Sequence, residues 1–535
     1  MKKLIAILLT ILMLPTVSAF AADARVTIPS FTVTFNGAEV ENSYRQFPLI
    51  VYKDITYVPM TYFDCRYLGL KTDWNGETST LSIEKSDVTT AYRNYEWQWK
   101  NGETYKASIC NFNIEVNGKA IDNTKEEYPL LTLRDVTYFP LTWRFAVDEF
   151  GWDYNFDSKN GLSVTSDNFH PEALNLPHLN GGVATDGEYY YYSGDKDDKI
   201  VVYRVSVSDT SSPEIVTDLD GNHNNRPVDF IKENGNIYFR HVVGSSPIFQ
   251  RNQYYKILPD GTAIQENPIN YSYSSHGYSE FGAGNEKIKV KGVHPYFDSA
   301  TNFSYETDGV VTEVKPLPGR VRRTGSVSIF NDRIYFVATD LNTDNDSALY
   351  YIDIGTDEAK KLIDNVHGFY VYTGWDNTTG KDSTMILYDN NGKLVRYSEV
   401  TGETSVIEHS GGEGLVLVGA TGQQEIVAVM KTPNGDRTLV QSFDDYASGH
   451  GSRNITLLDT KTGTTVRKLD DYLCVYTAGE MQGEEVRFLV TDGSSECYKS
   501  SDFPMPPSFF NALYMHENTL FYSIDKHTAI KVNLK

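Results

Sequence analysis

Asp340-Leu341-Asn342-Thr343-Asp344-Asn345-Asp346 puts side-chain oxygens at alternate positions, the spacing with which a loop wraps a calcium ion. A complete loop of that kind has Gly at its sixth position and a chelating Glu at its twelfth. Asn345 and Tyr351 stand there instead. Asp340, Asn342, Asp344 and Asp346 thus form an incomplete calcium set, and a solvated inter-strand loop is the plainer reading. Ser193-Gly194-Asp195-Lys196-Asp197-Asp198-Lys199 is likewise a polar turn before it is a metal site. No other cofactor is implied.

Catalytic motifs are missing. There is no G-x-S-x-G elbow, no H-E-x-x-H, no P-loop and no G-x-G-x-x-G opening a helix. Ser448-Gly449-His450-Gly451-Ser452 reads as a pliable loop rather than a held nucleophile and base. The S-x-D-x-G-x-x-W boxes of propeller sialidases do not occur. With 71 acidic residues a glycosidase carboxylate pair could be drawn anywhere, so spacing alone singles none out. The chain is expected to bind rather than to catalyse. The rival expectation is a secreted hydrolase of polysaccharide or peptide.

Such side chains need a scaffold, and composition bounds it. The chain has 535 residues, 40% of them apolar and 13% aromatic, so it has the material for real cores. Its 71 acids against 48 bases give a charge of −23, which argues against nucleic acid as a partner. Lys2, Lys3, the apolar run Leu4 to Val17 and Ala19-Phe20-Ala21 read as a signal peptide over 1–21. Loss of its two lysines leaves 71 acids against 46 bases, or −25. The expected location is secreted, extracellular or at the cell surface, with no integral membrane segment after cleavage. Four cysteines without a C-x-x-C exclude redox and zinc-ribbon motifs. A Cys474–Cys497 bridge between neighbouring strands is one reading, and buried thiols are the plainer one.

The first 165 residues repeat at an offset of 81. Phe31-Thr32-Val33-Thr34-Phe35-Asn36-Gly37 matches Phe112-Asn113-Ile114-Glu115-Val116-Asn117-Gly118. Asp54 to Thr61 matches Asp135 to Thr142, and Leu81-Ser82-Ile83 matches Leu162-Ser163-Val164. Alternation at 31, 33 and 35 predicts a strand, Asn36-Gly37 a tight hairpin, and Thr61 to Leu68 a helix ended by Gly69. Each unit therefore reads as a small α+β module, over 26–86 and 106–167, with 87–105 as a linker carrying Tyr92, Tyr95, Trp97 and Trp99. The pattern resembles the copper amine oxidase N-terminal-like domain, a non-catalytic module of exported bacterial proteins. Oxidase activity is not implied. No H-x-H occurs, the first His is His170, and in Thr90-Ala91-Tyr92-Arg93-Asn94-Tyr95-Glu96 the Thr stands one residue too far from Asn94 for a quinone motif.

From residue 180 to 535 short apolar runs alternate with Gly, Asn and Asp. A turn followed by aromatic or β-branched residues recurs at Asp186-Gly187-Glu188-Tyr189-Tyr190, at Asn234-Gly235-Asn236-Ile237-Tyr238-Phe239, at Asn331-Asp332-Arg333-Ile334-Tyr335-Phe336 and at Glu517-Asn518-Thr519-Leu520-Phe521-Tyr522. The intervals of 49, 97 and 186 suit one, two and four units of about 47 residues, the length of a four-stranded propeller blade. About seven blades are expected, with the termini sharing one. The phrase resembles the bacterial propeller repeats of the DUF5050 and TolB-like kind. The fold expected is thus mainly β, two α+β modules followed by a β-propeller. Function is expected to be that of a non-catalytic envelope or extracellular binding or scaffold protein. Its propeller would present a face to a cell-wall saccharide or surface protein, and its N-terminal modules would orient or attach it.

Overall fold

The computed structural model describes residues 23–534 apart from inter-strand stretches, the longer of which are 220–226, 244–250, 292–302, 322–326, 340–346, 407–414, 443–454, 478–485 and 503–512. The chain is mainly β and divides into two units, Met1–Asn168 and Phe169–Lys535. The proposed signal segment lies outside the described residues.

In the first unit the repeat is visible element by element. The first copy supplies β1 (Asp23–Thr27), β2 (Val33–Phe35), β3 (Ala38–Glu39), β4 (Ile50–Tyr52), β5 (Ile55–Pro59), α1 (Tyr62–Tyr67), β6 (Leu70–Asn75) and β7 (Thr80–Lys85). After β8 (Val88–Thr89) the second copy supplies β9 (Thr104–Ile109), β10 (Asn113–Val116), β11 (Lys119–Ala120), β12 (Leu131–Leu133), β13 (Val136–Pro140), a π-helix (Trp143–Glu149), β14 (Asp153–Asp157) and β15 (Gly161–Thr165). Local chemistry sets the turns. Asn36-Gly37 and Asn117-Gly118 both hold positive φ, as does Lys53-Asp54 with its counterpart Arg134-Asp135. Two consecutive left-handed residues are what a two-residue hairpin matched to strand twist requires.

The two copies do not fold as separate α+β modules. Strands β1, β4, β5, β13, β12 and β9 close one barrel, in that order. The remaining strands form two four-stranded sheets, β11-β10-β7-β6 and β14-β15-β2-β3. In each, the first hairpin of one copy pairs in parallel with the last strand of the other, Ile114 beside Leu81 and Leu162 beside Val33. Arg25 faces Lys106 and Val58 faces Phe139, so each pair joins a residue to its own equivalent 81 positions on. A pseudo-two-fold axis therefore runs through the unit. The reason is burial: three barrel strands from one copy cannot close, whereas six can. Ala24, Val26, Ile50, Tyr57, Ala107, Leu131, Leu133 and Tyr138 form one apolar cluster, and a larger one packs under the helices.

The second copy contains one residue more between its cap and its glycine. Thr61 to Gly69 and Thr142 to Gly151 differ by that residue, and it is absorbed as a seven-residue π-helix where the first copy has a six-residue α-helix. A further asymmetry is buried. Arg45 and Asp64 form an ion pair at 0% and 1% exposure, where the second copy has Glu126 and Phe145. Thr61 Oγ1 donates to Asp64, and Arg45 donates to Tyr92 Oη and Asn94 Oδ1 at 3.0 Å each. Tyr95 packs edge-on to Phe47, and Arg134 lies over Trp97. The segment between the copies is thus bound down through its aromatic residues.

The second unit is a succession of antiparallel meanders. β16 (Glu172–Leu174) is followed by β17 (Leu179–Thr185), β18 (Tyr189–Lys196), β19 (Lys199–Ser206) and β20 (Asp209–Asp218), the last four forming one sheet. β21 (Asp229–Glu233), β22 (Asn236–Val243), β23 (Arg251–Ile257) and β24 (Ala263–Gln265) form the next. Further sheets follow over 272–313, 320–364, 369–406, 415–459 and 464–500. The last sheet takes Tyr514–His516, Thr519–Ser523 and Ala529–Asn533 from the end of the chain and β16 from before residue 180. This makes eight sheets among the described residues, in an arrangement consistent with a β-propeller. About seven were expected; the sheets are spaced slightly more closely than 47 residues, and the shared sheet draws its fourth strand from Glu172–Leu174. The recurring phrases at Tyr189, Tyr238, Tyr335 and Phe521 each fall on the second strand of a sheet.

Aromatic residues fill the space between successive sheets. Tyr335, Val337 and Leu349 of one sheet pack with Val371, Ile386 and Tyr388 of the next. Within one sheet, Phe239 of β22 stacks on its cross-strand partner Tyr255 of β23 at 5.0 Å. The abundance of Tyr is accounted for by core packing here. No cysteine is in a disulfide. Cys474 and Cys497 lie on strands separated by Phe488–Thr491, about 9–10 Å apart and beyond disulfide reach.

Two outcomes follow. Asp64→Ala should destabilise the first unit by about 3–5 kcal/mol in urea unfolding, because it leaves Arg45 buried without its counter-charge. A fragment beginning at residue 169 should unfold cooperatively, while one beginning at 175, without β16, should melt several degrees lower. Equal melting of the two fragments would refute the shared sheet.

Candidate functional site

In a meander the connections alternate between two ends. First-to-second and third-to-fourth strand turns share one end, and second-to-third turns share the other with the links to the next sheet. The Asp340 to Asp346 segment is a second-to-third connection, between Arg333–Thr339 and Ser347–Asp353. Asp340, Asn342, Asp344 and Asp346 all lie outside the described residues, so the calcium reading stays a sequence expectation. Of the other polar stretch, Ser193 to Lys196 lie at the end of β18 and Lys199 opens β19 at that same end, while Asp198 lies outside the described residues.

Around that turn the polar groups are engaged from below. Asn180 is buried, and its Nδ2 donates to both carboxylate oxygens of Asp195 at 2.9 and 3.0 Å. Asn180 Oδ1 is buried without a partner. Ser523 Oγ donates to Gly181 O at 2.7 Å, and Gly181 N donates to Lys526 O at 3.1 Å. His527 Nδ1 lies 2.9 Å from Leu179 O; a carbonyl only accepts, so this nitrogen carries the proton. The last sheet is thereby clasped to the first. Gly181 holds φ +119 with Pro227 and Ser193 against it, and an added Cβ would lie 2.5 Å from Pro227 Cβ. Only glycine fits that junction.

His241, on β22 near the same end, is 2% exposed with neither ring nitrogen partnered. Burial pulls its pKa below the ordinary 6.5. The alternation Ile237, Phe239, His241 puts it on the face that carries the apolar cluster of the first two sheets. That period of two was the signal available in the sequence. Asn180 had none, because it sits beside the β17 irregularity between Leu179 and Val183, where alternation fails. A second buried group lies at this end. Tyr522 Oη donates to Asp502 Oδ2 at 2.8 Å and stands 3.2 Å from Tyr498 Oη. Burial, then the Asp502 charge, holds the Tyr522 hydroxyl protonated.

At the opposite end ion pairs tie two successive sheets together. Arg333 Nε donates to Asp353 Oδ1 at 2.7 Å, and its Nη1 reaches Glu399 on the next sheet. Tyr335 Oη donates to Glu399, and Lys360 Nζ to Asp353 Oδ2 at 2.7 Å. Hydrogen bonding from Lys360 is the largest of the influences that hold the Asp353 carboxyl below its usual range. This end is a seam between sheets.

No family model and no curated protein matches the chain. Solved structures give low-identity likenesses. Porphyromonas gingivalis dipeptidyl peptidase 4 is 10% identical over 60% of this chain and 59% of that one, with a TM-score of 0.36. Oligogalacturonate lyase in complex with manganese is 9% identical over 72% and 96%, at 0.32. TolB from Acinetobacter baumannii is 10% identical over 68% and 79%, at 0.30. The chain thus spans less than two thirds of the peptidase it matches. Likenesses at this level inform neither ligand nor activity.

His241 generates a pH prediction. Its folded pKa is depressed, so the unfolded chain takes up a proton that the folded one refuses, and stability falls as pH drops below about 6.5. In His241→Leu the loss of urea midpoint between pH 7.5 and pH 5 should be smaller than in the unsubstituted protein. An unchanged pH slope would contradict the neutral buried imidazole.

Proposed function

We propose that this is a non-catalytic, exported binding or scaffold protein of the bacterial envelope or cell surface. The N-terminal unit, two interleaved copies of a copper amine oxidase N-terminal-like sequence, attaches or orients it. The second unit is an eight-bladed propeller whose ligand face is the end carrying the second-to-third-strand and inter-sheet connections. One observation supports this reading: the polar β18–β19 strand ends, with Asp195 held by Asn180, stand at that end. Polar groups in such a place suit hydrogen bonding to a saccharide or a surface protein. The acidic charge of −25 after signal removal suits a protein kept soluble outside the cell.

A secreted hydrolase remains the second reading. It needs a carboxyl held neutral beside another carboxylate. The test is retention of residues 22–168 and 169–535, expressed separately, on isolated cell envelopes, beside an assay of the mature chain for released sugar ends or peptides. Retention of the first fragment without release supports attachment. Release that is lost on substituting a single carboxylate would favour the hydrolase, and failure of both fragments to bind would end the proposal.

A further inference from the structure

The exposed large aromatic residues among those described are Tyr44, Tyr62, Trp74, Trp99, Trp143 and Phe156, all in the first unit. The exposed large apolar residues described in the second unit are Val and Ile only. Two of these rings form a related pair of sites. Trp74, 52% exposed on β6, meets Phe112 edge-to-face at 5.4 Å. Phe156, 58% exposed on β14, meets Phe31 edge-to-face at 5.1 Å. Phe31 and Phe112 are 81 residues apart, and Trp74 and Phe156 are 82 apart because of the residue added in the π-helix. Beneath them the register is also shared: Trp74 pairs with Leu81, and Phe156 with Leu162. Each site thus takes its outer ring from one copy and its supporting ring from the other, and it exists only because the strands are exchanged.

We propose that these are two equivalent sugar-stacking sites, each taking a strand of an uncharged or amino-sugar polysaccharide. This deepens the attachment role proposed for the unit and rests on it. An exposed Trp or Phe ring held on a rigid sheet offers the apolar C–H face of a pyranose ring a flat partner at little entropic cost. The turn that follows each ring is fixed by its own side chain: Asn75 Oδ1 accepts from Glu77 N and Thr78 N in one, and Asp157 Oδ1 accepts from Lys159 N and Asn160 N in the other. Charge selects the class of polymer. Residues 23–168 carry 21 acids and 14 bases, a net −7, with Asp73 and Glu77 flanking Trp74 and Asp157 following Phe156. An acidic polymer is repelled, and a neutral or amino sugar is not. The pseudo-two-fold axis reverses direction between the sites, so they engage two separate strands and the unit cross-links them.

The test uses the full mature chain on insoluble chitin, cellulose and chitosan, with polygalacturonate as the acidic control. Retention on at least one of the first three and not on the fourth is expected. Trp74→Ala and Phe156→Ala should each weaken retention about tenfold, equivalent to about 1.4 kcal/mol, and the double variant should abolish it. Trp74→Tyr and Phe156→Tyr should restore it, with thermal midpoints unchanged throughout. Retention equal to the parent in both Ala variants would overturn the sites, as would binding to polygalacturonate alone or to none of the four. So would a change of solution mass in the Ala variants, which would make the rings a contact between two copies. If the chain binds whole envelopes yet none of these polymers, the attachment reading stands and this inference falls.

Discussion

The described sheets hold few strands each, and a small sheet is stable only when its strands find partners. Pairing strands that are remote in sequence is the constraint on which the rest depends. In the first unit closure is achieved by exchange. β1 pairs with β9 and β5 with β13, each across the pseudo-two-fold axis, and the six strands return on themselves. In the second unit it is achieved by bringing the ends of a long segment together, Glu172–Leu174 beside Ala529–Asn533. Both devices join residues far apart in sequence, so both make the functional surfaces contingent on long-range pairing.

That dependence explains where polar groups are buried. Near the closure of the second unit lie Asn180, Ser523 and His527, with Gly181 shaped to admit Pro227. In the first unit Arg45 and Asp64 fix the segment that joins the copies. These groups hold one piece of chain against another, a role that favours geometry over burial of charge for its own sake. The two surfaces on which binding is proposed, the aromatic pairs and the connection-bearing end, are both built on such seams.

Much of this was legible in sequence, and its failures have physical causes. The offset of 81 found the repeat because Asn36-Gly37 and Asn117-Gly118 must both adopt left-handed turns. It could not show that Ile114 would pair with Leu81 of the other copy, since a repeat specifies the strands and not their partners. The four recurring phrases, at Tyr189, Tyr238, Tyr335 and Phe521, each fall on the second strand of a sheet, yet an interval near 47 was too coarse to separate seven sheets from eight. Of the candidate site, only Ser193 to Lys199 could be recognised beforehand. His241 and Asn180 have chemical weight through burial alone, and burial depends on the neighbouring sheet.

The central claim, that remote strands close both units, is tested most directly by native-state amide hydrogen exchange on the intact chain. The amides of Glu172–Leu174 should be protected to the same degree as those of Ala529–Asn533, and β2 should exchange together with β15. Rapid exchange of 172–174 beside a protected 529–533, or of β2 beside a protected β15, would show that these remote strands are not paired and contradict the account.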